Sequence, residues 1–113
     1  MKEVLRSFIL FFAALVLAGC QSYLKSAPLV TESFIRAGLR ENADGRSLAE
    51  GRRVFLNRCI LCHALPKVAR FDAARLAAIV ATMSGRANLN PEQREAVLKY
   101  LLTVRANSRP PGT

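Results

Sequence analysis

Two cysteines and a histidine stand close together in the middle of the chain, within the sequence RCILCHALP. Cys59 and Cys62 are three residues apart, and His63 follows the second cysteine directly. Four kinds of chemistry use such residues at close spacing: a redox-active dithiol, a corner of a zinc site, a local disulfide, and the covalent attachment of a haem whose iron is bound by the histidine. The rest of the sequence discriminates between these four.

Three of the four alternatives lack supporting residues. A redox dithiol of the thioredoxin kind needs a βαβ pattern nearby, and the sequence contains none. A structural zinc ion usually takes four cysteine or histidine ligands. Cys20 belongs to a predicted lipid-attachment site, so only Cys59, Cys62 and His63, the single histidine, remain. A disulfide between Cys59 and Cys62 would close a very small loop and leave His63 without a role. The pattern therefore favours one haem c, bound through two thioether bonds with His63 as the ligand beneath the iron.

Met83 is the candidate ligand for the opposite face of the iron. Apart from Met1 it is the only methionine, and it lies on the apolar face of a predicted helix, 20 residues after His63. Coordination by methionine and histidine raises the reduction potential of a haem and suits electron transfer. The alternative is that Met83 is an ordinary core residue, because methionine often fills gaps in cores.

The N-terminus predicts export. Residues 1–19 begin with basic residues and continue into the short apolar run FILFFAALVLAG, which is typical of a cleaved signal peptide. A helix that spans a membrane needs about 20 apolar residues, so this run is short for an anchor. The sequence LAGC, which ends at Cys20, resembles a bacterial lipobox. That resemblance implies that Cys20 is lipidated and becomes the first mature residue, attached to the periplasmic side of a membrane; Gln21 favours the outer membrane.

The chain is strongly basic, with 17 lysines and arginines against 8 acidic residues. Nucleic acid is a poor partner for an exported protein, so we expect an acidic protein surface or anionic lipid instead. Several basic residues are close to the cysteine motif in sequence, and we expect some of them to steer an acidic redox partner. These residues are Arg52, Arg53, Arg58, Lys67, Arg70 and Arg75.

Apolar residues at helical spacing predict three helices, at about 47–59, 72–83 and 91–104. Each segment begins with a residue that can cap a helix. The predicted caps are Ser47 with Glu50 in a capping box, Asp72, and Asn90 with Pro91 and Gln93. No segment alternates long enough to predict a strand, so the fold class is all-α.

The predicted domain organisation follows from these segments. Residues 1–19 form the signal peptide, 20–46 a lipidated tether, 47–105 the folded domain and 106–113 a flexible tail. The tether contains the apolar stretch LVTESFIRAGL, for which the alternative is a short helix that docks on the domain or on a partner. A domain of this size is marginal for a hydrophobic core by itself. A large apolar group such as a buried porphyrin would supply the missing core.

The chain resembles the small class I-like monohaem cytochromes c in their lipoprotein-anchored bacterial form, over residues 47–104. The resemblance rests on AEGRRVFLNRCILCH and LNPEQREAVLKYLL. It implies a bundle of about three helices wrapped around the haem. Gly51 and Phe55 are at the positions that meet the C-terminal helix in that family, and Tyr100-Leu101 is the common aromatic–leucine pair of that helix. The segment between the histidine and the methionine is short for the family, and Pro66 stands unusually close to the histidine.

The resemblance also implies the site and the activity. Cys59 and Cys62 are the attachment residues, His63 the proximal ligand and Met83 the distal ligand. We therefore expect a membrane-tethered carrier of single electrons, which is not an enzyme. The alternative is a haem-based sensor or ligand-binding module, in which the sixth iron position is open or easily vacated.

Overall fold

The computed structural model describes residues 1–59 and 67–108, the side chains of residues 21–24 excepted. All regular structure in these ranges is helical, which confirms the all-α prediction for this part of the chain. Short 3-10 turns at Leu39–Glu41 and Val68–Arg70 supplement the helices. The helices are α1 (Lys2–Ser26), α2 (Glu32–Gly38), α3 (Gly45–Arg58), α4 (Ala73–Arg86) and α5 (Pro91–Asn107).

The starts of α4 and α5 are those that the sequence predicts. A carboxylate oxygen of Asp72 accepts a hydrogen bond from the backbone N–H of Arg75 at 2.7 Å. Asn90 and Gln93 form a reciprocal capping box, with N–H to oxygen distances of 2.8 and 3.1 Å. Helix α4 continues past Met83 and ends just before Asn88, whose φ of 53° lies in the left-handed region that stops a helix.

The predicted cap of α3 is wrong by three residues. Asp44, and not Ser47, is the N-cap: its carboxylate accepts from the Ser47 N–H at 2.8 Å, and the Ser47 hydroxyl accepts from the Asp44 N–H at 3.1 Å. Glu50 instead pairs with Arg53 at 2.6 Å. The preceding turn ends at Asn42, which has a left-handed φ of 54°, so the chain is already positioned to begin the helix at Asp44.

The Asp44 cap makes helix α3 sensitive to acid. The hydrogen bond from the Ser47 N–H holds the pKa of Asp44 below its ordinary value. A lowered pKa stabilises the fold above the unfolded-state pKa of about 3.9, and this contribution is lost as the pH falls through the lowered value. We expect Asp44→Ala to be less stable than the wild type at pH 7, with a smaller difference at pH 3. Urea unfolding followed by circular dichroism measures both differences.

Asp44→Asn is the matched control, because asparagine keeps a side-chain oxygen that caps a helix but does not titrate. The free energy of unfolding of Asp44→Asn should be close to that of the wild type at pH 7. A difference between wild type and Asp44→Ala that stays constant from pH 7 to pH 3 would contradict the role of the carboxylate.

Helices α3 and α5 form the centre of the fold and pack together closely at Gly51. A Cβ atom at Gly51 would lie 2.1 Å from the carbonyl oxygen of Ala96 and 2.7 Å from the Cβ of Tyr100. One turn further along α3, the rings of Phe55 and Tyr100 pack at a tilt, with centroids 6.1 Å apart. The absence of a side chain at Gly51 therefore sets the separation of the two central helices.

The segment before α3 belongs to the core, as in the alternative in which its short helix docks on the domain. Ala27, Phe34 and Ala43 are buried in the same cluster as the central helices. The carbonyl oxygen of Pro28 accepts two long-range hydrogen bonds, from the Tyr100 hydroxyl at 2.8 Å and from Arg52 Nε at 3.1 Å. In this structure the packed unit thus begins at Ala27, about 20 residues before the predicted domain boundary.

Two neighbouring arginines on α3 should differ in their effect on stability. Arg52 donates to the carbonyl oxygens of Ala27 and Pro28, whereas Arg53 pairs with Glu50 at the surface. Hydrogen bonds that involve a charged group contribute about 1.5–3 kcal/mol, so Arg52→Ala should lower the free energy of unfolding by about that amount. Arg53→Ala should have little effect, because exposed ion pairs contribute little. Chemical unfolding of both variants measures the contrast; equal losses would contradict it.

Helix α1 is exposed over residues 1–20 and long enough, by length and composition, to cross a membrane between Lys2 and Cys20. A signal sequence has the same properties, since it is also an apolar N-terminal helix. The helix includes residues on both sides of the apolar run, so it is longer than that run alone indicates. An N-terminal apolar helix, either a signal peptide or an anchor, is consistent with export.

Candidate functional site

An apolar cavity of about 310 Å³ lies between α3, α4, α5 and the 3-10 turn at Val68–Arg70. Most of its walls are aliphatic and aromatic side chains, which come from all four elements. The apolar lining residues include Phe55, Val68, Phe71, Leu76, Ile79, Val80, Met83, Leu89, Val97 and Leu101. Such a cavity suits an apolar ligand.

Cys59 lines this cavity at the C-terminal end of α3. It is the C-cap residue, half-buried, and its backbone N–H donates to the carbonyl oxygen of Phe55. Residues 60–66, which include Cys62, His63 and Pro66, lie outside the described residues. The structure therefore places the first cysteine of the motif at the cavity and leaves the other predicted residues of the motif untested.

Met83 lines the same cavity and belongs to helix α4. Leu76, Ile79 and Val80 precede it at helical spacing on the cavity side of α4, and Leu76 and Val80 are buried. Met83 itself is half-buried. Cys59 and Met83, which are 24 residues apart in sequence, are thus brought to one cavity.

Ser84 is a polar residue of the cavity that the sequence pattern did not single out. It is buried, and its hydroxyl donates to the carbonyl oxygen of Val80 at 2.5 Å. This bond within α4 satisfies the hydroxyl without a partner from another element. A serine directly after a predicted ligand carried no signal, because its burial depends on packing.

Three exposed arginines, Arg58, Arg75 and Arg86, lie at the cavity. The first two belong to the six basic residues expected near the motif, whereas Arg86 was missed although it follows Met83 by three residues on the same helix. Lys67 and Arg70 are exposed. The other two expected residues, Arg52 and Arg53, are engaged with Pro28 and Glu50. The positive charge at the cavity thus comes from two of the six expected residues, together with Arg86.

The described residues fit a haem. The cavity volume falls within the range of about 300–1,000 Å³ that is typical of ligand pockets. A haem is a flat, largely apolar group with two carboxylates, and the cavity combines apolar walls with three arginines. Cys59 offers a sulfur for a thioether bond, and Met83 offers a thioether as an iron ligand. Within residues 1–59 and 67–108, no group of three His, Cys, Asp or Glu side chains could hold a metal ion.

Cys20, the predicted lipidation site, is exposed on α1. It is not among the residues that line the cavity. Its exposure is compatible with modification at this position.

Comparison with known proteins adds no further assignment: the sequence matches no protein-family model, no curated protein and no solved structure. The function has to be inferred from the cysteine motif and from the cavity beside it.

Proposed function

We propose that the protein is a membrane-attached monohaem c-type cytochrome that carries single electrons between redox proteins. One observation carries the proposal: Cys59, the first cysteine of the Cys-x-x-Cys-His motif, lines the same apolar cavity as Met83. A local disulfide or a surface zinc site would not require an apolar cavity beside the motif. A covalently held porphyrin requires both the motif and an apolar cavity beside it.

The residues of the chain have separate roles in this proposal. Cys59 and Cys62 would hold the group covalently, while His63 and Met83 would bind its iron. When bound, the haem supplies a one-electron redox couple. The buried side chains around the cavity, such as Val97, exclude water and keep the surroundings of the site rigid, so little rearrangement accompanies a change of charge.

The exposed arginines at the cavity suggest where a partner would dock. Arg58, Arg75 and Arg86 are exposed there, and together they favour an acidic protein surface. Electrostatic steering by such a set raises the association rate, which should fall steeply as salt is added. The proposed partners are therefore acidic redox proteins at the membrane or in the periplasm.

The proposed location is the periplasmic side of a bacterial membrane. Cys20 would carry the acyl chains after cleavage of residues 1–19, and more than one chain is needed for stable attachment. Gln21 at the next position favours the outer membrane by analogy with sorting signals.

The test is the covalent state of the three cysteines after expression in cells that mature c-type cytochromes. We expect a red protein that keeps its haem after denaturation, with an intact mass that includes one haem. Cys59→Ala and Cys62→Ala should each lose a thioether bond. Cys20→Ala is the matched control, because it should keep the haem and lose only the lipid.

A colourless product from the same cells, with Cys59 and Cys62 unmodified by mass, would refute the proposal. Loss of haem in Cys20→Ala as well as in the other two variants would point to a general defect in export, which expression with an unrelated export signal separates from the role of the motif.

A further inference from the structure

The structure leaves little free chain between the membrane attachment and the folded core. Only residues 21–26 separate Cys20 from Ala27, which is fully buried. The next residue, Pro28, is held through its carbonyl oxygen by Tyr100 and Arg52. Six residues span about 9 Å as a helix and at most about 20 Å when extended. The fold is therefore confined to the membrane surface.

The segment that follows the attachment exposes apolar side chains. Outside α1, the large hydrophobic residues that are exposed in the described chain are Leu29 and Leu39, with 53% and 64% of their surface accessible. They flank helix α2, and both lie within 20 residues of Cys20. Single exposed leucines are common on soluble proteins. Here, however, they are concentrated on the segment nearest the membrane.

The same segment carries exposed cations. Lys25, Arg36 and Arg40 are exposed, while Glu32 and Glu41 lie on the same stretch and offset part of their charge. Leucines combined with long cationic side chains suit the interface of a bilayer, because the apolar parts enter the acyl boundary while the charged groups remain among the headgroups. An acidic protein partner would explain the arginines but would not explain the exposed leucines.

We propose that Leu29, Leu39 and helix α2 between them form a membrane-contacting surface, which inserts into the bilayer interface and fixes how the domain faces the membrane. The occupant of this surface is the lipid bilayer. The proposal rests on the membrane attachment in the proposed function and is independent of the haem.

The chain contains no tryptophan, so one introduced residue reports its own surroundings without background. The test uses the full-length protein in vesicles of phosphatidylglycerol and phosphatidylethanolamine, with and without bromine on the acyl chains. In Leu39→Trp the bromine should quench the emission, since interfacial side chains reach about 5–10 Å into the acyl boundary. Ala81→Trp is the matched control, because Ala81 is exposed on α4, and bromine should leave its emission nearly unchanged.

The outcomes separate the possible occupants. Quenching of Leu39→Trp at least about twofold stronger than that of Ala81→Trp supports insertion at the interface. Equal quenching of the two variants would overturn the proposal. A blue-shifted Leu39→Trp emission that bromine does not quench, and whose shift increases with the amount of protein per vesicle, would indicate contact between copies. This result would also overturn the proposal. Leu29→Trp repeats the comparison if Leu39→Trp does not fold by circular dichroism.

This experiment does not depend on the electron-transfer assignment. A protein without haem that is nevertheless quenched at position 39 would refute the cytochrome and keep the membrane surface. A protein that carries haem but shows no quenching at position 39 would keep the cytochrome and refute the membrane surface.

Discussion

Replacing Met83 with leucine is expected to change the haem-loaded protein from one that resists carbon monoxide, in its reduced state, to one that binds it stoichiometrically. Leucine keeps the apolar volume of the cavity wall but removes the sulfur, so the sixth position of the iron loses its proposed ligand. The reduction potential should also fall, because methionine ligation raises it. The fold should persist, since leucine and methionine exchange in cores at a cost below about 1.5 kcal/mol.

The control is Ile79→Ala, which enlarges the cavity at the same wall without removing a sulfur. We expect it to keep the spectra of the wild type and its resistance to carbon monoxide. If Met83→Leu leaves the spectra unchanged in both redox states, Met83 is not a ligand. If the wild type already binds carbon monoxide rapidly and completely, the sensor alternative is favoured over the electron carrier.

Gly51→Ala is expected to destabilise the fold by at least about 3 kcal/mol, at the upper end of what overpacking of a core costs. The new Cβ would lie 2.1 Å from a backbone oxygen of α5 and 2.7 Å from the Cβ of Tyr100, so the two central helices would have to separate. Alanine favours a helix over glycine by about 1 kcal/mol, which is too little to offset this clash. A domain of ordinary stability, about 5–15 kcal/mol, would lose much of its margin.

Gly85→Ala is the matched control for this substitution. Gly85 also lies in a helix, α4, but no atom stands within 4 Å of the position where its Cβ would be built. The variant should be unchanged or more stable by up to about 1 kcal/mol. Urea unfolding of the two variants checks the prediction, and a Gly51→Ala protein as stable as Gly85→Ala would contradict the close packing of α3 on α5.

The sequence predicted the elements whose signals are local. Asp72 and Asn90 cap α4 and α5 because a capping side chain reaches a backbone N–H only three residues away, within one stretch of sequence. The start of α3 was misplaced because two overlapping stretches fit the capping pattern. The choice between Asp44 and Ser47 depends on the turn at Asn42, which the pattern does not include.

The docking of residues 27–43 could not be predicted in the same way. It depends on hydrogen bonds from Arg52 and Tyr100 to Pro28, across 24 and 72 residues of sequence. Phe34 supplied a hint, because a flexible tether needs no large apolar side chain, and its ring packs 5.5 Å from that of Tyr100. A short apolar helix beside a domain is compatible with docking on the domain or on a partner, and only the packed structure discriminates between them.

The sequence predicted the motif of the candidate site but not where the fold would position its residues. The order of Cys59, Cys62 and His63 carries the chemistry regardless of the fold. That Met83 lines the same cavity as Cys59 follows from the packing of α4 against α5, which spacing does not encode. Likewise, Arg52 has the same charge as Arg58 in the sequence, yet only Arg58 remains available at the cavity.

The two hydrogen bonds to the Pro28 carbonyl also decide where the chain can be cut. A fragment that begins at Ser47 would leave Arg52 and Tyr100 without this acceptor and would remove Phe34 from its place against Tyr100. A cut between Cys20 and Ala27, in contrast, spares every one of these contacts. A protease acting there would therefore release the packed domain intact and, if the proposed attachment through Cys20 holds, would turn a membrane-bound protein into a diffusible one.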